Sequence, residues 1–195
     1  VVPFTRGPED SRSRKSILDE VKIMAQNGVK EIILLGQNVN AWRDDANESK
    51  TYTLGNLIED IAKIDEILSI RYTTSHPLDM DLELIKAHKN VDKLMPYLHL
   101  PVQSGSDNIL KKMNRKHTAS EYLKIIELVR KYCEDIAISS DFIVGHPGET
   151  KEDHKKTLDI INEVQFASAY SFMYSERPGT CLLYTSDAAD EHSWG

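Results

Sequence analysis

Residues 136–150, IAISSDFIVGHPGET, combine a short apolar run with a turn that carries two glycines. The run 136–145 is typical of a β-strand, and we predict a helix over 150–164. Gly145 and Gly148 leave the backbone of the turn open to close approach by a ligand. A strand that passes through a turn into a helix is the repeating unit of an α/β fold.

The same alternation of strand and helix extends along the rest of the chain. We predict strands at 31–36, 67–75, 94–102, 136–145 and 166–175, and helices at 13–27, 54–64, 80–89, 106–113, 118–133 and 150–164. Because short connections join them, these elements predict βα units and a parallel sheet. A partial barrel is favoured over a doubly wound sheet, since no dinucleotide fingerprint follows the first strand.

Local signals predict how several of these elements begin, end or are buried. Gly28 is expected to end the first helix, and Thr118 with Glu121 predicts a capping box at the start of the fifth helix. The run EIILLG, 31–36, is typical of a strand that is buried on both faces. The stretch 43–53 is predicted to be a polar loop.

Composition narrows the possible functions. The chain has 195 residues and a net charge of −7, which argues against nucleic-acid binding through bulk electrostatics. No apolar run approaches the roughly 20 residues of a membrane-spanning helix. The two cysteines, Cys133 and Cys181, give no metal-ligand spacing and suit a reducing compartment. A local basic edge near the start of the chain consists of Arg6, Arg12, Arg14 and Lys15. A solvated loop explains this cluster equally well.

Polar side chains follow all five predicted strands. Because the carboxyl ends of parallel strands form the active sites of βα folds, this recurrence predicts a ligand site. The residues are Gly36, Gln37, Asn38 and Asn40; Thr73, Thr74, Ser75 and His76; Gln103, Ser104, Ser106 and Asp107; Ser139, Ser140, Asp141, Gly145, His146 and Glu149; and Tyr174, Ser175, Glu176 and Arg177. Such amides, hydroxyls and carboxylates suit a ligand with amino, carboxylate and sugar hydroxyl groups.

Simpler explanations exist for single members of this set. Asn38 and Asn40 are each able to form a side-chain turn, and Ser106 or Asp107 to cap the helix that follows. His76, which precedes a proline, is equally well explained as an ordered loop histidine. These explanations account poorly for polar residues at the end of every strand.

Seven stretches occur in a fixed order: VVPFTRG, LLGQNVNAW, TTSHP, LHLPVQSGSD, MNRKHT, SSDFIVGHPGET and SFMYSERPGT. Together they closely resemble the radical S-adenosylmethionine (SAM) methylthiotransferase family. The pair GQNVNAW and TTSHP favours the branch that acts on N(6)-dimethylallyladenosine in tRNA over branches that act on threonylcarbamoyladenosine or a ribosomal protein. The resemblance implies a radical SAM core domain over 1–180, a partial (β/α)6 TIM-like barrel whose first strand and cluster loop are missing.

The resemblance also implies SAM-binding roles for nine residues. Gln37 and Asn38 match positions that contact the SAM amino group, and Arg115 matches a carboxylate-binding arginine. Gln103 and Asp141 match positions that contact the ribose hydroxyls. The segment that lies along the adenine contains Ile143, Gly145 and Glu149, and Ser75 completes the set. His146 stands where the family usually has an apolar residue.

Two [4Fe-4S] clusters are implied for the family's full-length enzymes. One cleaves SAM reductively to methionine and a 5′-deoxyadenosyl radical, which removes hydrogen from carbon 2 of the modified adenosine beside the anticodon. The second supplies sulfur, which another SAM methylates. The resemblance places the Cys-x3-Cys-x2-Cys loop directly before Val1, so we expect no metal ligand within this sequence and no activity from it alone.

The remaining expectations concern the tail, the partners and the location. Residues 181–195 depart from the family and are predicted to be a non-native, disordered tail, so Cys181 is not expected to be a ligand. The resemblance implies tRNA as the partner of the full-length enzyme, a cytoplasmic location and no membrane association. It identifies neither the electron donor nor the sulfur source. A non-catalytic binding module is the alternative of another class.

Overall fold

A computed structural model of the chain describes residues 11–47 and 50–175. The chain divides into two compact units. Among the described residues, the first unit consists of 11–47, 50–99 and 127–137, and the second unit of 100–126 and 138–175. The predicted domain end at residue 180, the tail 181–195 and the stretch VVPFTRG lie outside the described residues.

The first unit contains most of the elements. Its helices are α1 (Arg14–Gln26), α2 (Leu54–Ala62) and α3 (Leu82–Asn90), and its strands are β1 (Glu31–Leu34), β2 (Arg43–Asn47), β3 (Lys50–Thr53), β4 (Ser69–Tyr72) and β5 (Tyr97–His99). Two short 3₁₀ helices, Val39–Ala41 and Pro77–Asp79, lie in the loops after β1 and β4. The predicted helices and strands of this unit are confirmed, each with somewhat different bounds.

A parallel strand pair and two packed helices form the frame of the first unit. Strands β1 and β4 are parallel, with Glu31 opposite Ser69 and Leu34 opposite Tyr72. Helix α1 ends as predicted, because Gly28 has a φ of +89° and donates its N–H to the carbonyl oxygen of Ala25. The apolar faces of the elements are buried around Leu57, Ile58, Ile61, Ile70, Leu84 and Ile85.

Two expectations for the first unit were wrong. Residues 43–53 are not a loop, since β2 and β3 form an antiparallel pair with Arg43 opposite Thr53. Polar contacts stabilise this pair: the backbone N–H of Arg14 donates to Asp44 over 2.5 Å, and the guanidinium lies 4.6 Å from the ring centre of Tyr52. A hairpin built from polar side chains lacks the apolar alternation by which sequence patterns reveal strands.

The second error concerns the burial of β1. Ile32 is only 7% exposed, but its neighbour Ile33 is 50% exposed. Successive side chains of a strand point to opposite faces, so β1 packs against the core on one face only. Its continuous apolar run is therefore not evidence of burial on both faces.

The second unit contains helix α4 (Asp107–Lys112), most of strand β6 (Ala137–Val144), helix α6 (Lys151–Val164) and strand β7 (Ser168–Met173). Helix α5 (Ala119–Tyr132) has residues in both units. The predicted elements are confirmed here, and the capping box is present, since Thr118 and Glu121 exchange hydrogen bonds between side chains and backbone N–H groups.

A parallel ladder organises the second unit. Strand β6 pairs with β7, with Ser139 opposite Ser168. The extended segment 100–103 runs along the other edge of β6, where the N–H of Gln103 donates to the carbonyl of Asp141 over 2.9 Å. Behind this ladder, Phe166 packs edge-to-face on Phe142, at a centroid distance of 5.6 Å. Among the described helices of the chain, none is long and apolar enough to span a membrane.

Candidate functional site

The loops after β1 and β4 carry three of the residues predicted to bind SAM: Gln37, Asn38 and Ser75. Because β1 and β4 are parallel neighbours, both loops leave the same edge of the strand pair. The N–H of Val39 donates to the carbonyl of Thr74 over 3.0 Å, which joins the two loops directly. The structure therefore brings these predicted residues into one region of the first unit.

Asn40 fixes the two loops against each other. Its side chain is completely buried, accepts the N–H of His76 over 2.8 Å and donates to the carbonyl of His76 over 2.9 Å. A local side-chain turn was one explanation for Asn40, but its side chain instead bridges two loops 36 residues apart. His76 is the ordered loop histidine of the alternative explanation, since its Nδ1 accepts the N–H of Leu78.

Two predicted residues of the first unit offer buried oxygen atoms without partners. The side-chain amide of Asn38 donates to Asp79 over 2.7 Å, but its Oδ1 finds no hydrogen-bond partner among the described residues. The hydroxyl of Ser75 is likewise buried and unpartnered within the described part of the chain. Buried polar atoms are nearly always hydrogen-bonded in proteins, so these two fit a ligand that donates hydrogen bonds. Gln37 is exposed.

The second unit holds the other six predicted residues. Gln103 is 8% exposed and has a φ of +73°, and its carbonyl accepts the N–H of Ile143 over 2.9 Å. Together with the bond from the Gln103 N–H to Asp141, this places Gln103 beside Asp141 and Ile143 across two adjacent backbone segments. Three residues predicted to contact the adenosine part of SAM thus lie together.

Glu149 closes the glycine turn that follows β6. Its Oε2 accepts the N–H of Gly145 over 2.6 Å, and its backbone N–H donates to the carbonyl of His146 over 2.8 Å. Its other oxygen, Oε1, is buried and unpartnered in the described residues. Gly145 itself is exposed, has a φ of +71° and leaves open space where a Cβ would lie. The turn therefore offers a ligand an acceptor and an accessible backbone.

Arg115 follows helix α4 as a half-buried cation. Burial lowers the pKa of its guanidinium. Its backbone N–H donates to the carbonyl of Leu110, but its side chain makes no ion pair or hydrogen bond with any residue the structure describes. A partly desolvated guanidinium without an anionic neighbour suits a carboxylate ligand, which its planar fork binds through two hydrogen bonds.

A polar network behind Gln103 was missed by the sequence analysis. The N–H of Gly105 donates to the hydroxyl of Thr157 over 3.0 Å, and the hydroxyl of Ser106 donates to Asp153 over 2.5 Å. Ser106 stands at the N-cap of α4, but its hydroxyl is used for Asp153 rather than for capping. Asp153 also forms the capping box of α6 with Thr150.

Asp153 therefore forms hydrogen bonds with two loops, 103–106 and 145–150, that carry predicted site residues. Hydrogen bonds hold its pKa well below the usual range, the largest contribution being the bond from the Ser106 hydroxyl. The spacing Thr150-x-x-Asp153 is the sequence signal that could have identified this residue.

His146 is buried. Its ring packs edge-to-face against Tyr174 with centroids 5.2 Å apart, and burial is the main cause of its lowered pKa. Glu176 and Arg177, which also belonged to the predicted strand-end set, lie outside the described residues.

SAM and an iron–sulfur cluster fit the described residues differently. In the first unit, the unpartnered acceptors fit an amino group of the kind that SAM carries. In the second unit, the unpartnered Glu149 oxygen fits an adenine amine, and the unpaired guanidinium fits a carboxylate. By contrast, residues 11–47 and 50–175 contain no group of three His, Cys, Asp or Glu residues that could hold a metal ion. Cys133 is the one cysteine among them, and burial raises the pKa of its thiol, which disfavours the thiolate that a cluster needs. We therefore assign no cluster ligand to the described residues.

Comparison with known proteins identifies the class of protein. The family model of the radical SAM superfamily matches residues 2–161. The chain belongs to the radical SAM superfamily.

Two curated relatives have names that are more specific than the superfamily. The chain is 56% identical over 191 residues to the tRNA-2-methylthio-N(6)-dimethylallyladenosine synthase of Bartonella tribocorum, an alignment that covers 98% of this chain and 42% of the relative. It is 57% identical over 180 residues to the protein of the same name from Bartonella henselae, covering 92% of this chain and 39% of the relative. The chain thus spans less than half the length of these relatives.

Solved structures support the fold. The chain resembles a radical SAM methyltransferase, TsrM from Kitasatospora setae, with a TM-score of 0.61, 16% identity and coverage of 83% of this chain and 29% of that one. The cobalamin-dependent radical SAM enzyme OxsB matches with a TM-score of 0.59, 14% identity and coverage of 92% and 26%. The predicted fold class, an α/β fold of the partial radical SAM barrel type, is confirmed.

Proposed function

We propose that the chain is the SAM-binding core of an enzyme that methylthiolates carbon 2 of N(6)-dimethylallyladenosine beside the anticodon of tRNA. The observation that carries this proposal is the 56% identity, over 98% of the chain, to a synthase named for that product. Because the chain spans 42% of that relative, the activity is proposed for the whole protein. A tRNA substrate also supports a cytoplasmic location.

The residues of the two units receive different tasks in this proposal. In the first unit, Asn38 and Ser75 accept hydrogen bonds from the SAM amino group, with Gln37 beside them. In the second unit, Arg115 binds the SAM carboxylate, and Glu149 accepts a hydrogen bond from the adenine amine. The remaining four line the adenosine part, namely Gln103, Asp141, Ile143 and Gly145.

The cofactors carry the difficult chemistry. When bound, a [4Fe-4S] cluster supplies the electron for the reductive cleavage of SAM, and a second cluster supplies sulfur. The described residues bind and orient SAM.

The test uses the complete gene, expressed and reconstituted with iron and sulfide under anaerobic conditions. We expect 2-methylthio-N(6)-dimethylallyladenosine in tRNA from a strain that lacks this modification, detected by mass spectrometry of nucleosides. Arg115→Ala should raise the KM for SAM at least tenfold, since it removes a charge-assisted bidentate contact worth roughly 1.5–3 kcal/mol. Lys116→Ala, which removes the neighbouring exposed cation, is the control and should leave KM unchanged.

Three outcomes contradict the proposal. Product on threonylcarbamoyladenosine or on a ribosomal protein would assign the chain to another branch of the family. A fully loaded protein that binds SAM without cleaving it would favour a non-catalytic binding module. Equal effects of Arg115→Ala and Lys116→Ala would remove Arg115 from the site.

A further inference from the structure

The side-chain amide of Asn38 has two different ends in two different environments. Its Nδ2 lies 2.7 Å from Oδ2 of Asp79, the last residue of the 3₁₀ helix Pro77–Asp79. Its Oδ1 is buried and has no hydrogen-bond partner within the described chain. The amide therefore has one end that is hydrogen-bonded and one end whose acceptor has no partner among the described residues.

The chemistry of the contact determines which end is available. An ionised carboxylate only accepts hydrogen bonds, whereas an asparagine amide donates through Nδ2 and accepts through Oδ1. Turning the amide by 180° would place two acceptors against each other. Asp79 thus holds the NH₂ group toward itself and leaves the acceptor Oδ1 for the ligand.

The loops around this pair are fixed independently of it. Asn40 makes two hydrogen bonds with the backbone of His76, and Val39 donates to Thr74. The backbones that carry Asn38 and Asp79 are therefore held in place by neighbouring contacts. Loss of the Asp79 carboxylate should free the Asn38 amide without unfolding the loops.

We propose that Asp79 is a positioning residue that presents Oδ1 of Asn38 as an acceptor for an N–H of the SAM amino group. This inference rests on the proposed function, because it deepens the assignment of Asn38 to the amino-group end of the ligand. Asp79 selects for a hydrogen-bond donor at this position and disfavours a ligand whose corresponding group is an acceptor. Its role is specificity for the amino acid part of SAM, not for the nucleoside part.

The test compares two ligands of the complete, reconstituted enzyme by equilibrium dialysis. S-Adenosylhomocysteine carries the amino group and is not cleaved, whereas 5′-methylthioadenosine lacks the whole amino acid part. We expect Asp79→Ala to weaken binding of S-adenosylhomocysteine on the order of tenfold, since the Asn38 amide is no longer held with its acceptor toward the ligand, and to leave binding of 5′-methylthioadenosine unchanged. Asp92→Ala, at an exposed aspartate of the same unit, is the matched control and should change the affinity for neither ligand.

A double variant separates positioning from direct contact. If Asp79 acts through Asn38, Asp79→Ala should have no further effect in the Asn38→Ala background. An equal loss of affinity for both ligands, or a full Asp79→Ala effect in that background, would overturn the inference while SAM binding itself stands. A wild-type enzyme that binds neither ligand would overturn the proposed function and this inference together.

Discussion

The two units use different chemistry to fix their strand-end loops. In the first unit, the loops after β1 and β4 are joined by an amide, since Asn40 bonds to both backbone groups of His76. In the second unit, the loops 103–106 and 145–150 are joined through hydroxyls and a carboxylate, chiefly those of Ser106, Thr157 and Asp153. Both regions carry residues predicted to bind the same cofactor.

This difference determines how each region responds to substitution and to pH. Amide-to-backbone hydrogen bonds do not titrate, so the connection in the first unit is independent of pH. The connection in the second unit includes Asp153, which loses its charge in acid, and Gly105, whose backbone lies directly against that of α6. The first unit should therefore tolerate small changes in its loops better than the second.

The largest expected effect comes from Gly105→Ala. A Cβ at this position would overlap the backbone carbonyl of Lys156, which belongs to helix α6 and is unable to turn aside. We expect destabilisation of about 3 kcal/mol, at the upper end of the range for overpacking, in urea unfolding at pH 7. Gly36→Ala in the first unit is the control, because the nearest atom to its Cβ is a methyl group of Val39 at 3.0 Å. Equal losses for the two variants would contradict the comparison.

The first unit does contain a pH-sensitive group, but it lies in the core. His88 on α3 bonds to the hydroxyl of Tyr72 over 2.7 Å, and burial lowers the pKa of His88 to about 4. The unfolded chain binds a proton near the ordinary histidine pKa of about 6.5, so stability falls as the pH drops from 6.5 toward 4. Between pH 7 and pH 5 we expect a loss of about 2 kcal/mol.

Replacing this histidine isolates its contribution. His88→Gln retains a partner for the Tyr72 hydroxyl and should remove most of the pH dependence between pH 7 and pH 5, as measured by hydrogen exchange in peptides of the first unit. His154→Gln changes an exposed histidine of the second unit and should leave the dependence intact. An unchanged slope in His88→Gln would show that the imidazole is not the titrating group.

Apolar periodicity was sufficient to predict the frame of both units. Most of the helices and parallel strands are found where buried apolar residues recur, although β7 is exposed at every position, and local signals such as Gly28 define the ends. The hairpin of β2 and β3 was missed because its stability comes from polar contacts such as Arg14 with Asp44. Apolar periodicity indicates which residues are buried, so it does not reveal a strand pair whose side chains are polar.

The same distinction between local and long-range signals applies to the candidate site. Residues such as Asn38 and Glu149 were predicted, and the structure leaves one oxygen of each unpartnered in the described residues. The distant partners of Asn38 and Ser106 were missed, because Asp79 lies 41 residues from Asn38 and Asp153 lies 47 residues from Ser106. Contacts over such separations have no local sequence pattern, since only the folded strands bring the loops together.

The smallest expected effect is that of Asp153→Asn, and this variant tests the comparison between the two units most directly. An asparagine still accepts from Ser106 but loses a bond from Thr150, so the second unit should be less stable at pH 7. Because the folded-state pKa of Asp153 is depressed, its stabilisation is present above the ordinary aspartate pKa of about 3.9 and is lost as the pH falls below it. The difference in urea midpoint between wild type and Asp153→Asn should therefore shrink from pH 7 to pH 3, whereas the difference caused by Asn40→Ala should be nearly constant. A constant difference for Asp153→Asn would mean that the carboxylate charge does not join the two loops of the second unit.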